Sequence, residues 1–302
     1  NNSCHGDDAV IGGGNLNVIL GLESVIAGGA SNKVSGEKGV VSGGEYNSVS
    51  GSNAVIAGGQ SNYLHGNVAV ISGGELNTAG GEASVIAGGK HNTVSGELSA
   101  IGGGFGNGIS KFSVNSTVGG GTANTVDSNV SVIGGGSQNT ALGRASVIGG
   151  GVGNKVEEEL GFVGGGLNNR AAAYLAVVVG GQGNQVEGVA SFIGGGGLTD
   201  LPNVILSKAS VVTGGTDNFV NDSFSFIGGG LSNTINDSTS SSGGSVIVGG
   251  WNNLINAPSG TVIGGNNNEV TGNESVVLGG EHNSVSGPMS FTAGQHNSVS
   301  GT

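Results

Sequence analysis

Ser24-Val-Ile-Ala-Gly-Gly-Ala-Ser-Asn-Lys-Val-Ser-Gly36 decides how the chain must be read. The pattern returns as Gly39-Val-Val-Ser-Gly-Gly-Glu-Tyr-Asn-Ser-Val-Ser-Gly51, and again from Ala54 to Gly66. The second glycine of the pair stands at 14, 29, 44, 59, 74, 89 and 104, then at 121, 136, 151, 166, 181 and 196. It continues at 215, 230, 250, 265 and 280, with a degenerate last copy at Ala293-Gly294 that is one residue short. The step is 15 residues, apart from steps of 17, 19 and 20. These place insertions in 105–117, 198–210 and 234–245 of a single repeat domain covering 1–302.

Outward from the glycines, the other columns follow. Asparagine comes three residues after the pair, at Asn17, Asn32, Asn47, Asn62, Asn77, Asn92, Asn124, Asn139, Asn154, Asn184, Asn218, Asn233, Asn268 and Asn283. Thr199 interrupts this column. Two residues beyond the asparagine an apolar residue recurs, as in Ile19, Val34, Val49, Leu64, Ala79 and Val94. Each unit therefore holds two short extended runs separated by glycine. Valine and isoleucine favour strands, and glycine supplies the backbone of sharp corners. No stretch keeps a helical period. One unit cannot bury its own apolar side, so neighbours must stack. The expected fold is all-β, a parallel β-solenoid of about nineteen coils, flattened because the coil has two apolar clusters. At the strand spacing of ~4.8 Å such a stack would extend roughly 90 Å.

The asparagine column is expected inside a corner as a structural ladder, since stacked amides can bond along the stack and to turn backbone. The run before the glycines behaves differently, because two adjacent columns are both apolar. One contains Val25, Val40, Val55, Val70, Val85, Val132, Val147, Phe162, Phe192, Phe226 and Phe291; the next contains Ile11, Ile26, Val41, Ile56, Ile71 and Ile86. Adjacent strand residues point to opposite faces. The more uniform isoleucine column is expected inside, and the Val/Phe column outside as a self-association face. A long bare apolar stripe exceeds what a soluble monomer leaves exposed.

Of the 302 residues 68 are glycine, and the net charge is −12 with eight Lys plus Arg. Collagen is excluded by the glycine spacing and the three prolines. A nucleic-acid partner lacks its cationic footprint, and no apolar run nears the ~20 residues of a membrane helix. The one cysteine, Cys4, is read as a free thiol or a link to another chain. His91, His282 and His296 share a column without a companion cysteine or carboxylate at ligand spacing, so no metal site or cofactor is expected. Glu157-Glu158-Glu159 reads as a solvated edge. No catalytic grouping of Ser, His and Asp or of Cys and His recurs, and no enzyme activity is expected. Possible glycosylation sequons begin at Asn1, Asn115, Asn129, Asn221, Asn236 and Asn273.

The unit Ser24-Val-Ile-Ala-Gly-Gly29, followed by Asn32, Val34 and Gly36, resembles the head repeats of trimeric autotransporter adhesins. It also resembles Gly-Gly-x-x-Asn repeats of phage and large-virus fibre proteins. The resemblance implies a left-handed parallel β-roll, often trimeric, displayed on a surface for attachment. The expected function is a non-enzymatic extracellular structural or adhesive fibre module on a cell or virion surface. It would associate as a trimer or filament and meet a receptor or glycan, without nucleic acid or membrane insertion. The first recognisable strand begins at Ala9 and the last coil reaches Thr302, so open edges could stack end to end. The rivals are an ice-binding solenoid and a polysaccharide lyase or hydrolase. The first lacks a Thr-x-Thr array, and the second lacks basic residues for a cleft.

Overall fold

The structure, a computed structural model, describes residues 1–237 and 243–301. The fold is an all-β parallel β-solenoid of about 19 turns of roughly 15 residues. Among the described residues there is no helix. The chain divides into two compact units, Asn1–Gly151 and Val152–Thr302.

In the first unit, one sheet stacks Val10–Ile11, Val25–Ile26, Val40–Val41 and their successors through Val147–Ile148. Each strand pairs in parallel with its copy in the next coil, Val25 with Val40 and Ile26 with Val41. The facing sheet stacks Ser3–Cys4, Val18–Ile19, Lys33–Val34 and onward through Thr140–Ala141. The second unit repeats the plan, with Phe162–Val163 through Phe291–Gln295 in one sheet and Lys155–Val156 through Ser298–Val299 in the other. Between the sheets lies a thin dry core. Ile26, Val34, Val41, Val49, Ile56 and Leu64 are wholly buried, as are Ile193 and Val220 in the second unit.

Apart from Val276–Glu281 and Phe291–Gln295, the strands are only two residues long because corners take the rest of the coil. Two corners per coil are left-handed and carry ordinary side chains: φ is 54° at Lys38, 56° at Tyr46, 57° at Val68 and 57° at His91. The turned peptide has a use. Strand amides donate forward, Val25 N–H to Gly39 O at 2.9 Å, while the corner amide of Lys38 donates backward to Leu22 O at 2.8 Å. Backbone donors thus serve the coils on both sides.

Several details depart from the sequence reading. Ser3–Cys4 already pairs with Val18–Ile19, so a strand precedes Ala9. The asparagine column does not lapse at Thr199. The extra residues come before Asn203, which stacks its backbone N–H on Asn184 Oδ1 at 3.1 Å. The 105–117 insertion narrows to the corner after Gly108–Ile109, where Ser113 takes the place of a corner glycine and Lys111 covers the Phe112 ring at 4.8 Å. The 234–245 insertion falls between Ile235 and Val246, since both flanking strands keep their partners; residues 238–242 and Thr302 lie outside the described residues.

Candidate functional site

Asn77 shows how one rung of the ladder is built. Its backbone N–H donates to Asn62 Oδ1 at 3.0 Å. Its amide nitrogen donates to Gly73 O at 3.1 Å in its own coil and to Gly89 O at 2.9 Å in the next. Its own Oδ1 accepts from Asn92 N–H at 3.0 Å. Every predicted rung, from Asn17 to Asn283, is buried. Asn107, Asn169, Asn203 and Asn253 take the same bonds, and Asn2 and Asn297 take part of the set as the end rungs. Asn2 was missed because the glycine pair that marks the column does not precede it. An amide so fully bonded has nothing left to offer a ligand.

A second ladder went unread in the sequence. Serine before the Val-Ile strand is buried, and Ser116 bonds as its neighbours do. Ser116 Oγ donates to Ser128 O at 2.9 Å and accepts from Ser131 N–H at 3.2 Å. The signal was present in Ser24, Ser84, Ser99 and Ser131, but alanine and glycine alternate with serine there and disguise it as a merely small position.

The Val/Phe column points away from the core. Val25, Val40, Val55, Val70 and Val147 are half-buried in the first unit, as are Phe162, Phe192 and Phe226 in the second. Val85, Val132 and Phe291 are exposed, at 39%, 38% and 73%. Stacking at the strand spacing lets each residue of the column cover its neighbours, so the stripe is less bare than the sequence suggested. Beside it runs a second column, of small residues such as Ala27, Ser42 and Ala57 in the first unit and including Val179, Val248, Ile263 and Leu278 in the second, then the first glycine of each pair. No residue in these columns is charged. The first glycine is unusual: at Gly28, Gly43 and Gly58 nothing lies within 4 Å of where a Cβ would sit.

No protein-family model matches the chain, and no curated protein sequence matches it significantly.

The outer surface of the facing sheet is mostly polar and carries charge, with Val18, Val204, Phe219 and Leu254 as apolar exceptions. In the second unit Glu157 bridges Lys155 at 2.7 Å and Arg170 at 2.7 Å, and Arg170 reaches on to Glu187 at 2.6 Å. Hydrogen bonds from Arg170 and then Lys155 hold the Glu157 carboxyl down to about 2. Glu157 is therefore the centre of an ion network rather than part of a solvated edge, while Glu158 is exposed. His282 and His296 stack at 5.2 Å, and His91 meets Phe105 edge-on at 5.7 Å. Cys4 is exposed and free. Of the sequon asparagines, Asn1, Asn115, Asn129, Asn236 and Asn273 are exposed and Asn221 is half-buried. Asn129 Oδ1 accepts from Val114 N–H at 2.8 Å, and Asn221 donates to Asn236 Oδ1 at 3.1 Å.

Proposed function

We propose that the chain is a non-enzymatic structural or adhesive fibre module of an extracellular, cell or virion surface. It associates with copies of itself through the uncharged Val/Phe face, as a trimer or filament, and presents the polar face to a receptor or glycan. The observation that carries this reading is the first-glycine column. Its own coil leaves room for a side chain at Gly28, Gly43 and Gly58, yet each is glycine. A bare backbone next to an apolar ridge suits close approach by a neighbouring surface. The resemblance to adhesin-head and fibre repeats points the same way.

The test places glutamate at Val55, Val85 and Val147 and measures mass by light scattering beside far-UV circular dichroism. The expected result is an assembled wild type and a dissociated variant with unchanged dichroism. A wild type that stays monomeric at high concentration removes the reading. One observation favours a second reading, ice binding: Thr78, Thr93, Thr125 and Thr140 share an outward column on the polar sheet. Thermal hysteresis in the monomer would support it.

A further inference from the structure

Trp251 is the single tryptophan of the chain, and it is 53% exposed. It stands on the corner after Gly249-Gly250 in the second unit, where its backbone pairs in parallel with Leu231 on one side and Asn266 on the other. The stack does not need an indole there. The equivalent corners of the first unit carry Glu45, Gln60 and Lys90. A ring so exposed is costly to keep bare and useful at a contact, because its face is apolar and its N–H polar.

Amides and a carboxylate surround the ring. Asn266 pairs onward with Glu281 in the same column, and Asn252 and Asn267 follow Trp251 and Asn266 in the next. Asn252 Nδ2 donates to Asn267 Oδ1. These groups repeat at the coil spacing of ~4.8 Å, so they line an open strip along the stack. Asn266 is half-buried, and its Oδ1 is buried with no hydrogen-bond partner. Nothing locks that oxygen inward. A half-turn of the amide would bring it out to a hydroxyl and relieve an orphaned acceptor.

The chemistry of the strip selects its ligand. A phosphate, a sulfate or a nucleic acid would find no cation, since the sequence holds no lysine or arginine after Lys208. A small molecule would find no enclosure, because there is no pocket among the described residues. A purely aliphatic partner would cover the amides without pairing them. A sugar chain offers both halves: C–H faces that lie on an indole, and hydroxyls that exchange hydrogen bonds with amides and a carboxylate. Equatorially linked pyranoses also advance by close to one coil spacing, so successive rings meet successive rungs.

We propose that the Trp251 corner binds a neutral, linear β-linked glycan laid along the stack, with one pyranose on the indole and its neighbours on Asn266 and the Asn252–Asn267 pair. This rests on the glycan part of the proposed function and not on self-association.

As the single tryptophan, Trp251 reports on its own site. Emission of the full chain is titrated with cellohexaose and chitohexaose, and with heparin and oligolysine as charged probes. The expected result is a saturable blue shift with at least one neutral hexaose and none with the charged probes. Calorimetry follows the variants, because Trp251→Ala leaves no tryptophan to observe. Trp251→Ala should weaken binding by about tenfold or more, and Asn266→Ala by about three- to tenfold, with far-UV dichroism unchanged. Trp251→Phe keeps an aromatic face and should retain part of the affinity. The same titration on the glutamate variant of Val55, Val85 and Val147 separates glycan binding from association: the shift should persist there. Absence of binding to both hexaoses overturns the proposal, as does binding that Trp251→Ala leaves intact. A response to heparin or oligolysine that exceeds the response to the hexaoses overturns it too. Emission that shifts with protein concentration and not with either hexaose assigns the corner to a second copy of the chain, which is the remaining way for the proposal to fail.

Discussion

Gly58 and Gly59 are neighbours in the chain and answer to different demands. Gly59 has φ +91°, and a Cβ there would run into the Gly74 carbonyl oxygen and lie 2.7 Å from Asn62 Nδ2. Gly59→Ala should therefore cost about 3 kcal/mol in denaturant unfolding, from strain and a displaced rung. Gly58→Ala should change stability by less than about 0.5 kcal/mol, yet weaken association if the proposed face closes on a partner. Asn92→Ala would orphan Asn107 N–H and the Gly88 carbonyl and leave Gly104 O with Lys90 N–H alone, and should cost on the order of 3 kcal/mol. The opposite sign is expected at Val68, a β-branched residue at φ 57°. Val68→Asn should stabilise by about 0.5–1 kcal/mol, because asparagine tolerates the left-handed region. The ladder and the glycine pair were legible because one residue type repeats in each. The left-handed corners were not, since Lys38, Tyr46, Val68 and His91 share a backbone and no chemistry.

Among the elements, the two-residue strand is the unit of register. Val85 and Ile86 must present one side chain outward and one inward, against Val70 and Ile71. Two residues inserted between Val85 and Ala87 should abolish local pairing, because the columns beyond would no longer meet their partners. Deleting Lys111 and Phe112 restores the 15-residue step at an exposed corner and should leave the dichroism unchanged, with only a small change in Tm. The sequence located this insertion only to 105–117, because period alone cannot say where within a coil the extra residues leave the stack. The ion network on the polar sheet makes an acid-sensitive element. The Glu157 carboxyl falls from 4.5 to about 2 on folding. Its contribution is complete above about pH 5 and fades as the pH drops toward about 2. The Tm gap between wild type and Glu157→Gln should narrow across that window; an unchanged gap would remove the network from the acid response.

At the scale of the whole molecule, the repeat period carried nearly all of the fold. Fifteen-residue self-similarity, two apolar clusters and glycine corners are enough to require stacked parallel strands. The inward isoleucines and outward valines also followed from strand alternation. What period could not carry was the exceptions. Asp222, buried with Oδ1 lacking a hydrogen-bond partner, sits where a repeat reader sees only a variable corner. Within each unit, stability is a sum over contacts between nearest coils. Glutamates at Val55, Val85 and Val147 should therefore leave each coil's own bonds intact while removing the proposed partner.

The forward and backward amide bonds have a mechanical consequence. Almost every backbone bond of a coil runs to the coil before or after it, as with Val25 to Gly39 and Lys38 to Leu22. Tension drawn along the stacking direction of a unit loads these bonds end-on and one coil at a time. The expected force curve is a train of small, even ruptures, each freeing about 45 Å of chain: roughly 50 Å of extended residues less the ~5 Å the coil already spanned. A pull across the strands would instead load many coils together and meet a far higher threshold. The material is soft in one direction and stiff in the other.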